Sequence, residues 1–314
     1  MRSDKIYGLY YILFSWFLLG SMGLATRAAA VYGFTTGPIV LARTLTQLLG
    51  GILLAVVLRQ AWSVKNLNAL IFLGVFGGAG VLTFSLSLQG TTAARATILN
   101  YTFIPISNLI ALALDKDRPS PIFWISFVAG GLGLWIILDP LKIGFIAQNQ
   151  STLPGDAWGL LSGFCAGAYV YMLKRQRGIE SSFSVYLIYS AFAFIYSLPA
   201  FWLGNITPSY NSSSELTLLS WVALFSVGLL ALAGHLFNTL AFKYVSLESG
   251  TICALIAPVT AAAGGWLLLE EPLSFRLISG GLLVLMSCLL TGFYESKRTK
   301  NHRIDERFSK TSMK

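Results

Sequence analysis

Apolar residues run through this chain in long unbroken stretches, separated by short polar turns. Ten stretches of about twenty residues follow one another, at 7–26, 35–58, 67–88, 96–114, 121–138, 157–173, 183–204, 216–242, 249–269 and 277–294. A helix of about 20 residues, rising about 1.5 Å at each, crosses a hydrocarbon core about 30 Å thick, whereas a barrel strand would alternate over about ten. The pattern predicts an all-α integral membrane protein of ten transmembrane helices, with little chain left for a soluble domain. The first stretch is longer than a signal-peptide core and lacks a small-residue cleavage site, so it reads as a retained helix.

Composition agrees: 55% of the 314 residues are hydrophobic and only 11% charged, far from the quarter of charged residues in soluble domains. A net charge of +9 would suit a nucleic-acid binder, but its distribution argues otherwise. If the loops alternate in side, seventeen of the 22 Lys and Arg share a side with the N-terminus. Only Arg27, Arg95, Lys142 and Arg276 fall opposite, and Arg43 lies inside a span. The positive-inside rule then puts both termini in the cytoplasm of a multi-pass cell-membrane protein, with lipid and not nucleic acid as its surroundings. Cys165, Cys253 and Cys288 all sit in spans without metal-ligand spacing and read as small buried side chains.

The chain also repeats itself. Pro105 and Pro258 are 153 residues apart, as are Pro119 and Pro272. Each first proline lies mid-span, each second in an acidic turn (IPISNLIALALDKDRP and APVTAAAGGWLLLEEP), and a glycine-rich helix follows both. Five helices per copy is odd, so the copies enter the membrane from opposite faces, a symmetry that suits alternating access. The boundaries expected are a first repeat at 1–142, an outer linker at 143–154, a second repeat at 155–295 and a basic cytoplasmic tail at 296–314. Glycine runs such as Gly77-Gly78-Ala79-Gly80 and Gly264-Gly265 read as close-packing faces.

These motifs resemble the drug/metabolite transporter superfamily in its two-repeat, EamA-like branch. The run LAFKYVSLESGTICALIAPVTAAAGGWLLLEEPLSFRLISGGLLVL is similar to the family's closing signature, carried by Glu271, Pro272 and Gly281. The first repeat departs from it, with DKDRPSP in place of a glycine-glutamate turn. The resemblance implies a cavity lined by helices 1, 3, 4, 6, 8 and 9 and transport of small metabolites such as amino acids. It also makes Arg43 similar to a basic residue often found in the second helix of relatives.

A polar side chain at bilayer depth costs roughly 2 to 3 kcal/mol unless it faces a cavity or a partner. His235 is the one histidine inside a span, with Asn238 three residues on, so both can face a substrate. An imidazole could also carry a coupling proton, since no carboxylate sits mid-span; a packing hydrogen bond is the competing role. Thr97, Asn100, Tyr101 and Asn108 form a polar stripe beside Pro105 and read as a cavity wall. Pro105 and Pro258 read as hinges or stable bends. Arg43 reads as a structural ion pair or an anion attractor, and Trp16 and Tyr169 as stacking surfaces. Arg95, Glu248 and Glu271 read as solvated span-end charges or gate pairs.

The function expected is therefore a secondary carrier of small metabolites without ATP, cofactor or metal, since no GxxxxGK[ST] run appears. The rivals are a membrane-embedded enzyme, for which one intramembrane histidine is too little, and a non-transporting receptor or assembly factor.

Overall fold

The computed structural model describes residues 2–60, 63–91, 93–138, 153–204, 218–268, 275–276, 278–291 and 293–294, which are helical with no strand among them. The helices are α1 (Arg2–Val31), α2 (Thr36–Val57), α3 (Leu67–Gly90), α4 (Ala93–Asn100), α5 (Phe103–Asp115) and α6 (Pro121–Leu138). After the undescribed stretch come α7 (Leu153–Gln176), α8 (Ser182–Gly204), α9 (Leu218–Ala241), α10 (Leu247–Ile252), a 3-10 turn (Cys253–Leu255), α11 (Ile256–Leu268) and α12 (Ile278–Thr291).

Seven described segments are long and apolar enough to cross a membrane, fewer than the ten counted from sequence. Pro121–Ile137 and Ile278–Thr291 are apolar but shorter. The α7 helix is rich in Gly, Ala, Ser and Tyr because much of it is interior: Ser162, Cys165, Ala168, Tyr169, Val170, Tyr171 and Leu173 are all buried. A helix wrapped by other helices needs less lipid-compatible surface than one facing the bilayer. The lipid-facing surface is correspondingly apolar, with Leu53, Val56, Trp202, Phe225 and Leu282 all exposed.

Two predicted continuous helices are in fact interrupted. The first breaks at Tyr101 and Thr102, between α4 and α5, and the second at the 3-10 turn between α10 and α11. Proline explains both positions: lacking an N–H, Pro105 and Pro258 cannot bond the carbonyls four residues back, those of Tyr101 and Ala254. In the first break the Ile104 N–H takes the Tyr101 carbonyl at 3.1 Å, a tighter 3-10 bond. The prolines thus lie in the first turn of a second half-helix rather than at a mid-helix kink.

Packing draws helices distant in sequence together. α1 packs along α9 and α11, α3 along α7 and α8, α2 along α8 and α9, and α4 and α5 along α7. Glycines permit the closest crossings: a Cβ on Gly155 would lie 2.1 Å from the Gly90 carbonyl carbon, and one on Gly280 would lie 2.5 Å from the Gly133 carbonyl oxygen.

The helix ends gather at two poles. At one, the 63–66 turn meets the start of α8, Ser120 meets α10, and the end of α7 meets the α9–α10 turn. Lys65, Lys116, Arg118, Lys174, Arg175, Arg177 and Lys243 all belong to these connections, so this is the basic pole. At the other, Arg95 meets Asp156 and Phe34 stacks edge-on against Trp221.

Candidate functional site

Polar side chains at mid-span divide into two groups. The first gathers on the interrupted α10–α11 segment, where backbone carbonyls are available. Trp16 Nε1 donates to the Gly250 carbonyl at 3.1 Å, and the Tyr101 hydroxyl donates to the Ala254 carbonyl, also at 3.1 Å. Ala254 is the residue that Pro258 leaves without its donor four residues on, and Tyr101 adds a side-chain donor to that carbonyl beside the Ile256 N–H of the 3-10 turn. Asn108, 2% exposed, donates to the Ile104 carbonyl at 2.9 Å and to Thr251 Oγ1 at 3.3 Å. Asn100 donates instead to Ser162 of α7 at 3.0 Å, and Thr97 lies partly buried on α4. The expected single stripe is therefore split, because the break at Tyr101 and Thr102 turns the residues beyond it to different neighbours. Trp16 and Tyr101 are tied by their polar atoms, and Trp16 stacks on Phe103 with centroids 6.3 Å apart.

The second group comes from α2, α7, α8 and α9. A guanidinium nitrogen of Arg43 stands 3.2 Å from His235 Nε2, and the Tyr189 hydroxyl stands 3.5 Å from the same nitrogen. The rings of Tyr189 and His235 lie 5.1 Å apart, and Tyr169 tilts onto Tyr189 at 4.7 Å. Gln47, one turn beyond Arg43 on α2, is fully buried, and its backbone carbonyl accepts from the Tyr186 hydroxyl at 3.1 Å. A guanidinium only donates, so His235 Nε2 must accept, which places the ring proton on Nδ1 and leaves the imidazole neutral. No described carboxylate pairs with Arg43, so its structural ion pair is replaced by contact with a neutral histidine. Several polar atoms here have no hydrogen-bond partner: Arg43 Nε, both side-chain heteroatoms of Gln47, and the Tyr169 hydroxyl.

His235 and Asn238 do not form one site. Asn238 is 3% exposed and donates to Ser15 Oγ on α1 at 3.3 Å, whereas His235 turns to α2 and α8. Three residues on a helix differ by about 60° in direction, enough to address different partners at a three-helix junction. Two contributors, Gln47 and Tyr189, escape sequence reasoning, because each is a common residue on an otherwise apolar helix. Gln47 lies on α2 and Tyr189 on α8, the second and seventh apolar spans, outside the six that the resemblance implies as cavity walls.

The span-end charges hold local partners. Arg95 pairs with Asp156 at the pole opposite the basic one. Glu248 accepts from the Ser120 N–H at 2.9 Å and from its hydroxyl at 2.6 Å, at the basic pole. The two residues therefore lie at opposite poles and cannot gate as a pair, while Glu271 lies outside the described residues. A cavity of about 430 Å³ opens at the basic pole, lined by Asp115, Tyr171, Lys174, Arg175, Tyr244 and Ser246 among others. Beside it Arg177 is buried among neutral acceptors, the Thr239 and Glu180 carbonyls and the Ser182 hydroxyl. That burial pulls its pKa below the usual arginine value.

Comparison with known proteins places this architecture. Residues 153–293 match the EamA-like transporter family. The chain is 27% identical over 251 residues to the pseudopaline exporter CntI in two strains of Pseudomonas aeruginosa, a match spanning 77% of this chain and 81% of that one. An uncharacterized transporter of Archaeoglobus fulgidus is 23% identical over 228 residues, 71% of this chain and 76% of its own. A crystal structure of 16% identity superposes with a TM-score of 0.71 over 95% of this chain and 99% of its own, which establishes a shared fold. This chain is a multi-pass membrane protein of transporter type, and its second half, residues 153–293, is similar to the EamA-like transporter family.

Proposed function

We propose that the chain is a secondary carrier that moves a small metabolite, an amino acid or a related solute, by alternating access between two inverted five-helix halves. The halves are residues 1–142 and 155–295, joined by an outer linker at 143–154, and the ten crossings count each interrupted helix once. Both termini and the basic tail at 296–314 face the cytoplasm of a bacterial inner membrane, which makes the basic pole the cytoplasmic one.

The observation that carries this reading is a pair of contacts between repeat-equivalent residues. Thr44 Oγ1 donates to Ser197 Oγ at 2.8 Å, and the Tyr101 hydroxyl donates to the Ala254 carbonyl. Each pair is 153 residues apart, the same interval that separates the matched prolines. In a molecule with a pseudo-two-fold axis, the residues that touch their own counterparts are those beside the axis. The helix packing is doubled in the same way, since α1 on α9 corresponds to α7 on α3. Two such halves can exchange conformations at similar energy, so inward-open and outward-open states interconvert without ATP. The relatives named as exporters favour outward movement, with the cavity at the basic pole as the cytoplasmic entrance.

The test is counterflow of labelled metabolite pools in proteoliposomes holding only this protein, together with reporter tags at both termini. Accumulation of at least one solute without ATP is expected, with both tags on one side. A silent panel, or tags on opposite sides, would falsify the reading.

A further inference from the structure

The second polar group holds a cation without a counter-ion. Arg43 is partly buried at mid-span, its neighbours His235 and Tyr189 are neutral, and no described carboxylate reaches it. Near it are buried polar atoms that make no well-formed hydrogen bond: Arg43 Nε itself, the amide of Gln47, which with Arg43 approaches the Tyr189 hydroxyl, and, across the Tyr189 ring, the hydroxyl of Tyr169. A packed interior normally satisfies such groups, because each orphan is costly. Here they come from helices α2 and α7 and cluster with α8 and α9, so no single helix's needs explain them.

We propose that Arg43, Gln47, Tyr169 and His235 form the binding site for the carboxylate of the transported metabolite. The inference rests on the transport reading above and names the chemistry that its substrate must carry. A carboxylate supplies what the group lacks: one negative charge against one guanidinium, and two oxygens with lone pairs for the guanidinium, the amide and the phenol. A phosphate, near two negative charges, would call for a second cation, and none of the other cluster members carries one. Gln47 Oε1 is also without a donor, so the fitting ligand has an amino or hydroxyl group beside its carboxylate. His235 contributes by holding the guanidinium at 3.2 Å through a neutral acceptor, which orients Arg43 without neutralising it. Arg43 and His235 both keep partial exposure.

The experiment compares amino and hydroxy acids with their uncharged primary amides in proteoliposomes of the full chain. The acids should move and the amides should not. Arg43→Gln should cut acid flux by about tenfold or more, the loss of one charged hydrogen-bonding partner. Tyr169→Phe guards against misfolding, since it removes only an unpartnered hydroxyl: KM for the acids should rise by about tenfold while the melting temperature stays equal or increases. Equal transport of acids and amides, or acid flux unchanged in Tyr169→Phe, overturns the site and leaves transport standing. If no solute moves, the transport reading fails. If acids then protect the detergent-purified protein from heat no better than their amides, the site fails with it.

Discussion

At the basic pole the buried charges are saturated, whereas at mid-span they are not. Glu180, 5% exposed, takes the Lys65 N–H at 2.8 Å and the Asn66 N–H at 2.7 Å. Arg177, 4% exposed, spends three guanidinium nitrogens on three neutral acceptors, and Lys174 reaches two carbonyls of the α9–α10 turn. Arg43, Gln47 and Tyr169 each retain a polar atom with no partner. Orphan polar atoms occur elsewhere, on Ser87, Gln89, Thr91, Ser126, Gln176, Ser249 and one oxygen of Asp156, but the cation beside Asp156, Arg95, has that carboxylate as its partner. The pole is built as a clamp, where every bond holds two chain segments together. The centre is built as a receptor, whose bonds wait for something outside the chain.

If that contrast is right, breaking the clamp costs stability and breaking the receptor costs only flux. Glu180→Ala should be the most damaging change, because it strips two part-buried backbone amides of a charged acceptor at about 1.5–3 kcal/mol each. A large fall in the thermal unfolding temperature of the detergent-purified protein is expected, and a wild-type value would mean the pole is not a clamp. Lys174→Met should follow at about 1–3 kcal/mol, since it leaves the Phe242 and Val245 carbonyls without their cationic donor. Limited proteolysis near the α9–α10 turn should report that loosening.

Thr44→Val probes the axis contact with Ser197 and should cost only about 0.6 kcal/mol, the usual worth of a hydrogen bond between membrane helices. Two melting curves in the same detergent decide it, and a drop of several kcal/mol would give the axis contact a far larger role than packing. Gln47→Met is the smallest expected change in stability: replacing an orphaned buried amide by an apolar side chain of similar size should be neutral or stabilising. Acid flux should nonetheless fall. A destabilised Gln47→Met with normal flux would move Gln47 from the receptor to the packing.

The residues that were legible in sequence share a property. Arg43, His235 and Tyr169 stand out because charge, imidazole or phenol is rare or costly in a span, so composition alone draws attention to them. Gln47 and Tyr189 carry no such signal, and their importance lies in what stands opposite them. Helical spacing predicts one face for Thr97, Asn100, Tyr101 and Asn108, and the structure divides them for a related reason. Helical spacing holds only while the helix does, and the missing N–H of Pro105 breaks the register four residues earlier.

What the sequence determined by itself is what depends on short stretches of chain. The length of apolar runs fixes a membrane solvent, the loop lysines and arginines divide the ends between two poles, and two prolines 153 residues apart announce a repeat. Tertiary structure alone decided that Arg43 meets a histidine 192 residues away and not a carboxylate, and that Tyr101 caps the carbonyl freed by the proline of the other half. Those choices turn on how each helix is rotated and how closely glycines let it approach its neighbour. Rotation and approach are settled by the packing of all the helices at once, and no local pattern in the sequence encodes them.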